Sequence, residues 1–378
     1  MKQIGKHSWL VLVVLCLVGV ISGCYKEKET EVSRPLATPS ANNKNSEEGN
    51  KKLKIGFSMD TLKEDRWLRD RELFREAVEE LGAEVEIYAA NGDDALQILQ
   101  AETLISKGVD LLVVVPHNAE AMATIVKKAH SSGIKVLSYD RLIKNADVDL
   151  YISFDNEMVG VLQAEAITKI VPKGKYVYIG GADTDNNAHL IKKGVFHVLQ
   201  PYIDKGNITV VYDQWSKNWD PEYAYSNMEA ALKANNKDID AVIAANDATA
   251  GSAIKALEKY GLAGKIPVAG QDGDLPAAQR IIQGTQTMTV YKPIKALAEE
   301  VAQIAVQMAN GKTISVENKV NNGKVEVPTI LLSPIAVTKE NMDATIIKDD
   351  FHSKEEVYKN NQLLFAKRHC MFHTVKRV

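Results

Sequence analysis

Carboxylates, amides, guanidinium groups and indoles recur in this sequence directly after short apolar runs. Asp60, Arg66 and Trp67 follow Ile55-Gly-Phe-Ser-Met59, and Asp140-Arg141 follow Lys135-Val-Leu-Ser-Tyr139. Gly180-Gly181 leads into Asp183, Asp185, Asn186 and Asn187, and Trp215 and Trp219 come after the next run. Asn246-Asp247, Gln271-Asp272 with Asp274, and Lys292 beside Tyr291 complete the set. The mixture suits a neutral polyol. Each hydroxyl donates one hydrogen bond and accepts up to two, so carboxylates and amide oxygens take its proton while Arg, Lys and Asn donate to its oxygen. Indoles such as those of Trp67 and Trp219 match the flat C–H faces of a sugar ring.

Each residue also has a plain structural alternative. Asp140-Arg141 equally fits an ion pair at a strand end, and Asn187 equally fits a helix N-cap. Trp67 and Trp215 fit a core, and Lys292 beside Pro293 fits a solvated helix start. Convergence on one edge is what favours a site.

Other chemistries find little support. The sequence lacks G-x-S-x-G, a phosphate loop, G-x-G-x-x-G and H-E-x-x-H, and its histidines number only 8. Asp183-Thr-Asp185-Asn-Asn187 opens like a calcium loop, but Ala188 stands where Gly is needed and Gly194 where Glu is needed. No catalytic residue, metal site or cofactor is expected. The formal net charge of −3 provides no basic field for nucleic acid.

The elements that position these residues alternate. Strands are expected at 55–59, 84–88, 111–115 and 135–139, with helices at 66–81, 95–107 and 119–131 between them. The series restarts with strands at 176–179, 209–212, 241–244 and 266–269 and helices at 187–199, 222–234 and 248–260. Continuous apolar strands separated by helices indicate parallel sheets covered on both faces. The expected fold is therefore two doubly wound α/β lobes, with ligand in the cleft beyond the strands' carboxyl ends. Segments at 287–290, 293–310, 325–331 and 332–347 are expected to cross back between lobes and form a multi-segment hinge. The expected division is 52–157 plus about 291–328 for one lobe and 158–290 plus about 329–348 for the other, followed by a tail at 349–378.

The amino terminus has its own logic. Lys2, Lys6 and His7 precede an apolar run at 9–20, too short to span a bilayer comfortably, and then comes Ile21-Ser-Gly-Cys24. That ending resembles a bacterial lipobox, so residues 1–23 are expected to be an export signal and Cys24 a diacylated membrane anchor. Residues 24–51 are polar and read as a tether. Cys16 would be removed and Cys24 acylated, leaving Cys370 without an intramolecular disulfide partner in the mature body.

From Leu53 to about Phe351 the chain resembles the sugar-binding proteins of the periplasmic type, close to the D-xylose-binding ones that feed ABC importers. The stretches that carry the resemblance are Glu64-Asp-Arg-Trp67, Tyr139-Asp-Arg141, Tyr151-Ile-Ser-Phe-Asp-Asn156, Asp185-Asn-Asn187, Asp213-Gln-Trp215 with Trp219, Asn246-Asp-Ala-Thr-Ala-Gly251, Gly270-Gln-Asp272 and Gly284-Thr-Gln-Thr-Met-Thr-Val-Tyr-Lys-Pro293. The resemblance implies a type I periplasmic binding protein fold. It also implies that Arg66, Asp140, Arg141, Asp185, Asn187, Asn246, Asp272 and Lys292 hydrogen-bond D-xylose while Trp67 and Trp219 border its faces. Capture by hinge closure would deliver sugar to an ABC permease, or present the closed form to a transmembrane sensor kinase.

Overall fold

The computed structural model describes residues 52–359. The chain divides into two units, residues 1–49 and 50–378, and every described residue lies in the second. The expected export signal at 1–23, the expected acylation site Cys24, the expected tether at 24–51 and Cys370 therefore lie outside the described residues. Among the described residues no helix is long and apolar enough to cross a membrane.

The first half winds β1 (Lys54–Met59), α1 (Asp65–Glu80), β2 (Glu84–Ala89), α2 (Asp94–Ser106), β3 (Leu111–Val114), α3 (Ala123–Ser131), β4 (Lys135–Tyr139) and β5 (Leu150–Phe154). The second winds α4 (Asn156–Ile170), β6 (Gly174–Gly180), α5 (Asn186–Asp204), β7 (Ile208–Trp215), α6 (Pro221–Ala234), β8 (Ala241–Ala244), α7 (Asp247–Glu258), β9 (Val268–Gln271), α8 (Leu275–Gln283) and β10 (Met288–Tyr291). After these come α9 (Ile294–Ala309), β11 (Lys319–Asn321), β12 (Glu326–Leu332) and β13 (Ile335–Val337). One sheet has the order β11-β12-β5-β4-β3-β1-β2 and the other β13-β10-β9-β8-β6-β7. Pairing is parallel except at β11/β12 and β10/β13.

The apolar runs form inner strands because both of their faces are covered. In β3, Leu111 and Val113 join a core with α1 and α9, while Leu112 and Val114 join another with α2 and α3. In β8, Ala241 and Ile243 face α4 and α5, and Val242 and Ala244 face α6 and α7. Each lobe is thus a three-layer sandwich.

Three segments cross between the sheets: β5 into α4, β10 into α9, and β12 into β13. The first and last are tied together, since the Asp155 amide donates to the Leu332 carbonyl at 3.0 Å. The last crossing lies after Leu332, not near 328 as expected. The run Pro-Thr-Ile-Leu-Leu332 pairs with β5 along Thr329–Leu332 and breaks only before Ser333-Pro334. The start of the tail packs inward: Phe351, His352 and Val357 are at least partly buried, and Val357 joins the apolar cluster that contains Ala278 and Ile281 of α8.

Candidate functional site

The strand ends converge as strand direction dictates. One cleft, holding about 360 Å³ of space between protein atoms that includes its opening to solvent, is lined by Glu64, Arg66, Trp67, Asp140, Arg141, Asp185, Asn187, Trp219, Asn246, Gln271, Asp272 and Lys292. Every sequence-predicted binding residue is in that set. Glu64 and Gln271 were not predicted as binding residues, although both lie inside stretches that carry the resemblance.

Local conformation aims several of these groups. Asp140 has φ 59° and Asp272 φ 101°, so the chain turns through left-handed geometry at the ends of β4 and β9. Asn218 and Trp219 are both left-handed, at φ 53° and 58°. They set the Trp219 indole against Gly181, where a Cβ would stand 2.3 Å from the ring. Asn246 caps α7: its Oδ1 accepts from the Thr249 amide at 2.9 Å, which leaves its Nδ2 for the cavity. Asn187 is not the N-cap of α5. Asp185 fills that position and accepts from the Asn187 amide, which frees the Asn187 side chain to cross the cleft. Trp215 is half-buried on the second lobe, 4.9 Å from the His189 ring, and does not line the cavity.

The lobes are closed on one another. Asn187 Nδ2 donates to the Asp140 carbonyl and to its Oδ1, each at 3.1 Å. Arg141 spans Asp60 of its own lobe, at 2.6 Å, and Asp185 of the other, at 2.8 Å. Arg66 Nη2 donates to Asp140 Oδ2 at 2.5 Å, and Arg66 also lies 3.5 Å from Asp272. Lys292 approaches Asp272 at 3.3 Å, and the Ala119 amide donates to the Thr184 carbonyl at 3.1 Å.

Electrostatics divides the acids. Burial works against the charge on Asp140, but Arg66 and Lys292 outweigh it and hold the carboxyl below its ordinary range. At Asp185 burial prevails over Arg141 and pushes the carboxyl up, and burial does the same at Glu64. His117 supports the rear: its bond to Asp60 raises the imidazole and, with Arg141, holds Asp60 down despite burial. Trp67 carries Arg66 and Arg141 near its ring, at 4.3 and 5.0 Å from the centroid.

Three buried oxygens in the cavity wall have no hydrogen-bond partner, Glu64 Oε2, Asn187 Oδ1 and Gln271 Oε1, while Asp272 Oδ1 is met only by the charges of Lys292 and Arg66, at 3.3 and 3.5 Å. All are acceptors, and an unmet buried acceptor costs about 1–3 kcal/mol. A ligand carrying several O–H donors on a compact ring would satisfy them together. Among the described residues no group of His, Cys, Asp and Glu is placed to hold a metal ion.

Fold and site together define a two-lobed binding protein with a polar cleft. A periplasmic binding protein domain matches residues 55–313, and the chain belongs to that family. It is 52% identical over 308 residues to the D-xylose-binding periplasmic protein of Haemophilus influenzae, covering 82% of this chain and 93% of that one. The D-xylose-binding periplasmic protein of Escherichia coli is likewise 52% identical, covering 81% and 93%. A solved carbohydrate transporter solute binding protein from Chloroflexus aurantiacus, in complex with D-glucose, superposes with a TM-score of 0.75 at 32% identity, covering 81% of this chain and 98% of that one.

Proposed function

We propose that this chain captures D-xylose outside the cytoplasm by closing its lobes around the sugar, and hands it to an ABC importer without chemical change. The observation that carries this is the set of three unpartnered acceptors, on Glu64, Asn187 and Gln271, together with the loosely paired Asp272, opposite the donors Arg66, Arg141, Lys292 and Asn246. Arg66, Trp67, Asp140 and Arg141 belong to one lobe, and Asp185, Asn187, Trp219, Asn246 and Asp272 to the other. Only the closed form therefore offers a ligand all of its partners at once, and ligand shifts the population toward that form. The kinship with two D-xylose-binding proteins supports the choice of sugar.

A thermal-shift screen over pentoses and hexoses tests it. At a hundred times the dissociation constant, D-xylose should add about 2.7 kcal/mol of stability. In lobes of this size that raises the midpoint by about 5 °C or more, with D-glucose and D-ribose weaker at equal concentration. No shift with any monosaccharide would defeat the proposal.

Anchoring through Cys24 completes the picture, because a receptor diacylated behind a polar tether stays beside the membrane. In a bacterial host, labelled palmitate should enter the protein, and Cys24→Ser should abolish incorporation and release the protein from the membrane fraction. Equal labelling of both forms would contradict it.

A further inference from the structure

The cleft is not the only place where the lobes hold one another. Arg69 lies on α1 of the first lobe, one turn beyond Arg66. It donates to the backbone carbonyl of Phe351, and its guanidinium stands 4.7 Å from the centre of the Phe351 ring. A second Arg69 nitrogen donates to His352 Nδ1 at 3.3 Å. The other imidazole nitrogen, Nε2, donates to the carbonyl of Gly273 at 2.8 Å. These partners fix the neutral Nε2–H tautomer, and burial, aided by Arg69, pushes the imidazole below its ordinary range. Gly273 follows Asp272 directly, and its φ of 73° completes the left-handed corner that presents Asp272. Phe351 also packs 4.9 Å from the ring of Tyr291, at the second crossing, while Tyr291 donates to Asp349 at 2.6 Å. Ile346, Val357 and α8 fasten the segment to the second lobe.

We infer that residues 349–352 form a clasp outside the sugar cleft. Through Arg69 and His352, the clasp favours the closed form and sets Asp272 against Arg66. Neither residue lines the cavity, so both are positioning residues: they act through the geometry of others. The clasp needs both lobes together, because Arg69 belongs to one and the Gly273 carbonyl to the other. It should slow sugar release and leave the ranking of sugars unchanged, since it touches no hydroxyl.

The effect on affinity rests on the sugar-binding reading, but the effect on closure does not. The test therefore uses two measurements on the full chain and on Arg69→Ala, Arg69→Lys, His352→Ala and the double alanine variant. Hydrogen exchange without sugar reads closure at the Ala119 amide, whose bond to the Thr184 carbonyl joins the two lobes. Calorimetry with D-xylose reads affinity.

Exchange at Ala119 should speed up about fivefold or more in either alanine variant, while the β3 and β8 amides stay protected. The dissociation constant should rise about tenfold in each variant, and the double variant should lose less than the product of the two. Arg69→Lys should recover part of both effects.

Unchanged exchange at Ala119 in both single variants would overturn the clasp, as would independent, fully multiplicative effects. Equal loss of protection in β3 would assign Arg69 to lobe stability and would also overturn it. If Ala119 responds but D-xylose gives no heat with any form, the clasp stands and the choice of sugar falls.

Discussion

Replacing Asp140 with Asn should raise the dissociation constant for D-xylose by about a hundredfold or more while both lobes stay folded. Asp140 is 2% exposed, and it alone ties Arg66 of its own lobe and Asn187 of the other into one network. Its carboxyl is held ionised by Arg66 and Lys292 against the cost of burial, so the charge belongs to the working site. Neutralising it leaves Arg66 short of one counter-charge and turns one of two accepting oxygens into a donor that must face either the Arg66 guanidinium or the Asn187 amide. Asn is the informative substitution. The backbone at 140 is left-handed, at φ 59°, which Asn tolerates and Ala resists. Asp70 still meets Arg66 at 3.1 Å, so α1 retains a buried partner. Calorimetry should show weak or no heat, and the melting midpoint should stay within a few degrees of the parent. Affinity within threefold of the parent would remove Asp140 from the site.

A second large effect is expected far from the sugar, at Gly194. A Cβ there would stand 1.9 Å from the carbonyl oxygen of Glu157, and one at Gly160 would stand 2.0 Å from that of Ile191. The two glycines let α4 and α5 approach backbone to backbone, and these helices cover one face of the second sheet. Gly194→Val must push them apart, because the obstacle is main chain and cannot swing aside. Overpacking of a rigid core costs about 1–3 kcal/mol, and a backbone obstacle belongs at the upper end. The unfolding midpoint in a circular-dichroism melt should fall by about 6–12 °C, or the protein should fail to accumulate in soluble form. A midpoint within about 2 °C of the parent would mean that the helices can separate freely.

The two substitutions show what the sequence reveals and what it hides. Asp140 alone equally fits an ion pair, and becomes legible because the strand before it is unmistakable and other polar residues converge on the same sheet edge. Gly194 is not, since its role depends on which helix packs across from it. The two parallel sheets and the cleft at their strand ends are legible from the apolar runs, and the ten binding candidates come from the strand ends and the resemblance, whereas the strand order is not legible in the sequence. Asn187 stayed open between N-cap and ligand because spacing cannot decide which of Asp185 and Asn187 turns its side chain back to the helix. Glu64 does not stand out because it lies on the connection to α1, and Gln271, though named among the strand-end polar residues, is not singled out as a ligand because a neutral amide beside Asp272 draws less attention than the acid. The strand β5 is absent from the sequence expectation, where Tyr151–Asn156 enters only through the resemblance. The expected crossing near 328 is too early, although Pro334 marks the end of β12. The inward packing of Phe351 and His352 has no periodic signal: their partners, Arg69 and Gly273, are distant in sequence.

A crystal structure of the chain with D-xylose tests the central claim most directly. The sugar should lie between Trp67 and Trp219, with its hydroxyls donating to Glu64 Oε2, Asn187 Oδ1 and Gln271 Oε1, the oxygens that now lack partners, and to Asp272 Oδ1, which now meets only the charges of Lys292 and Arg66. Sugar bound elsewhere, or bound in the cleft with those four oxygens meeting no hydroxyl, would contradict it.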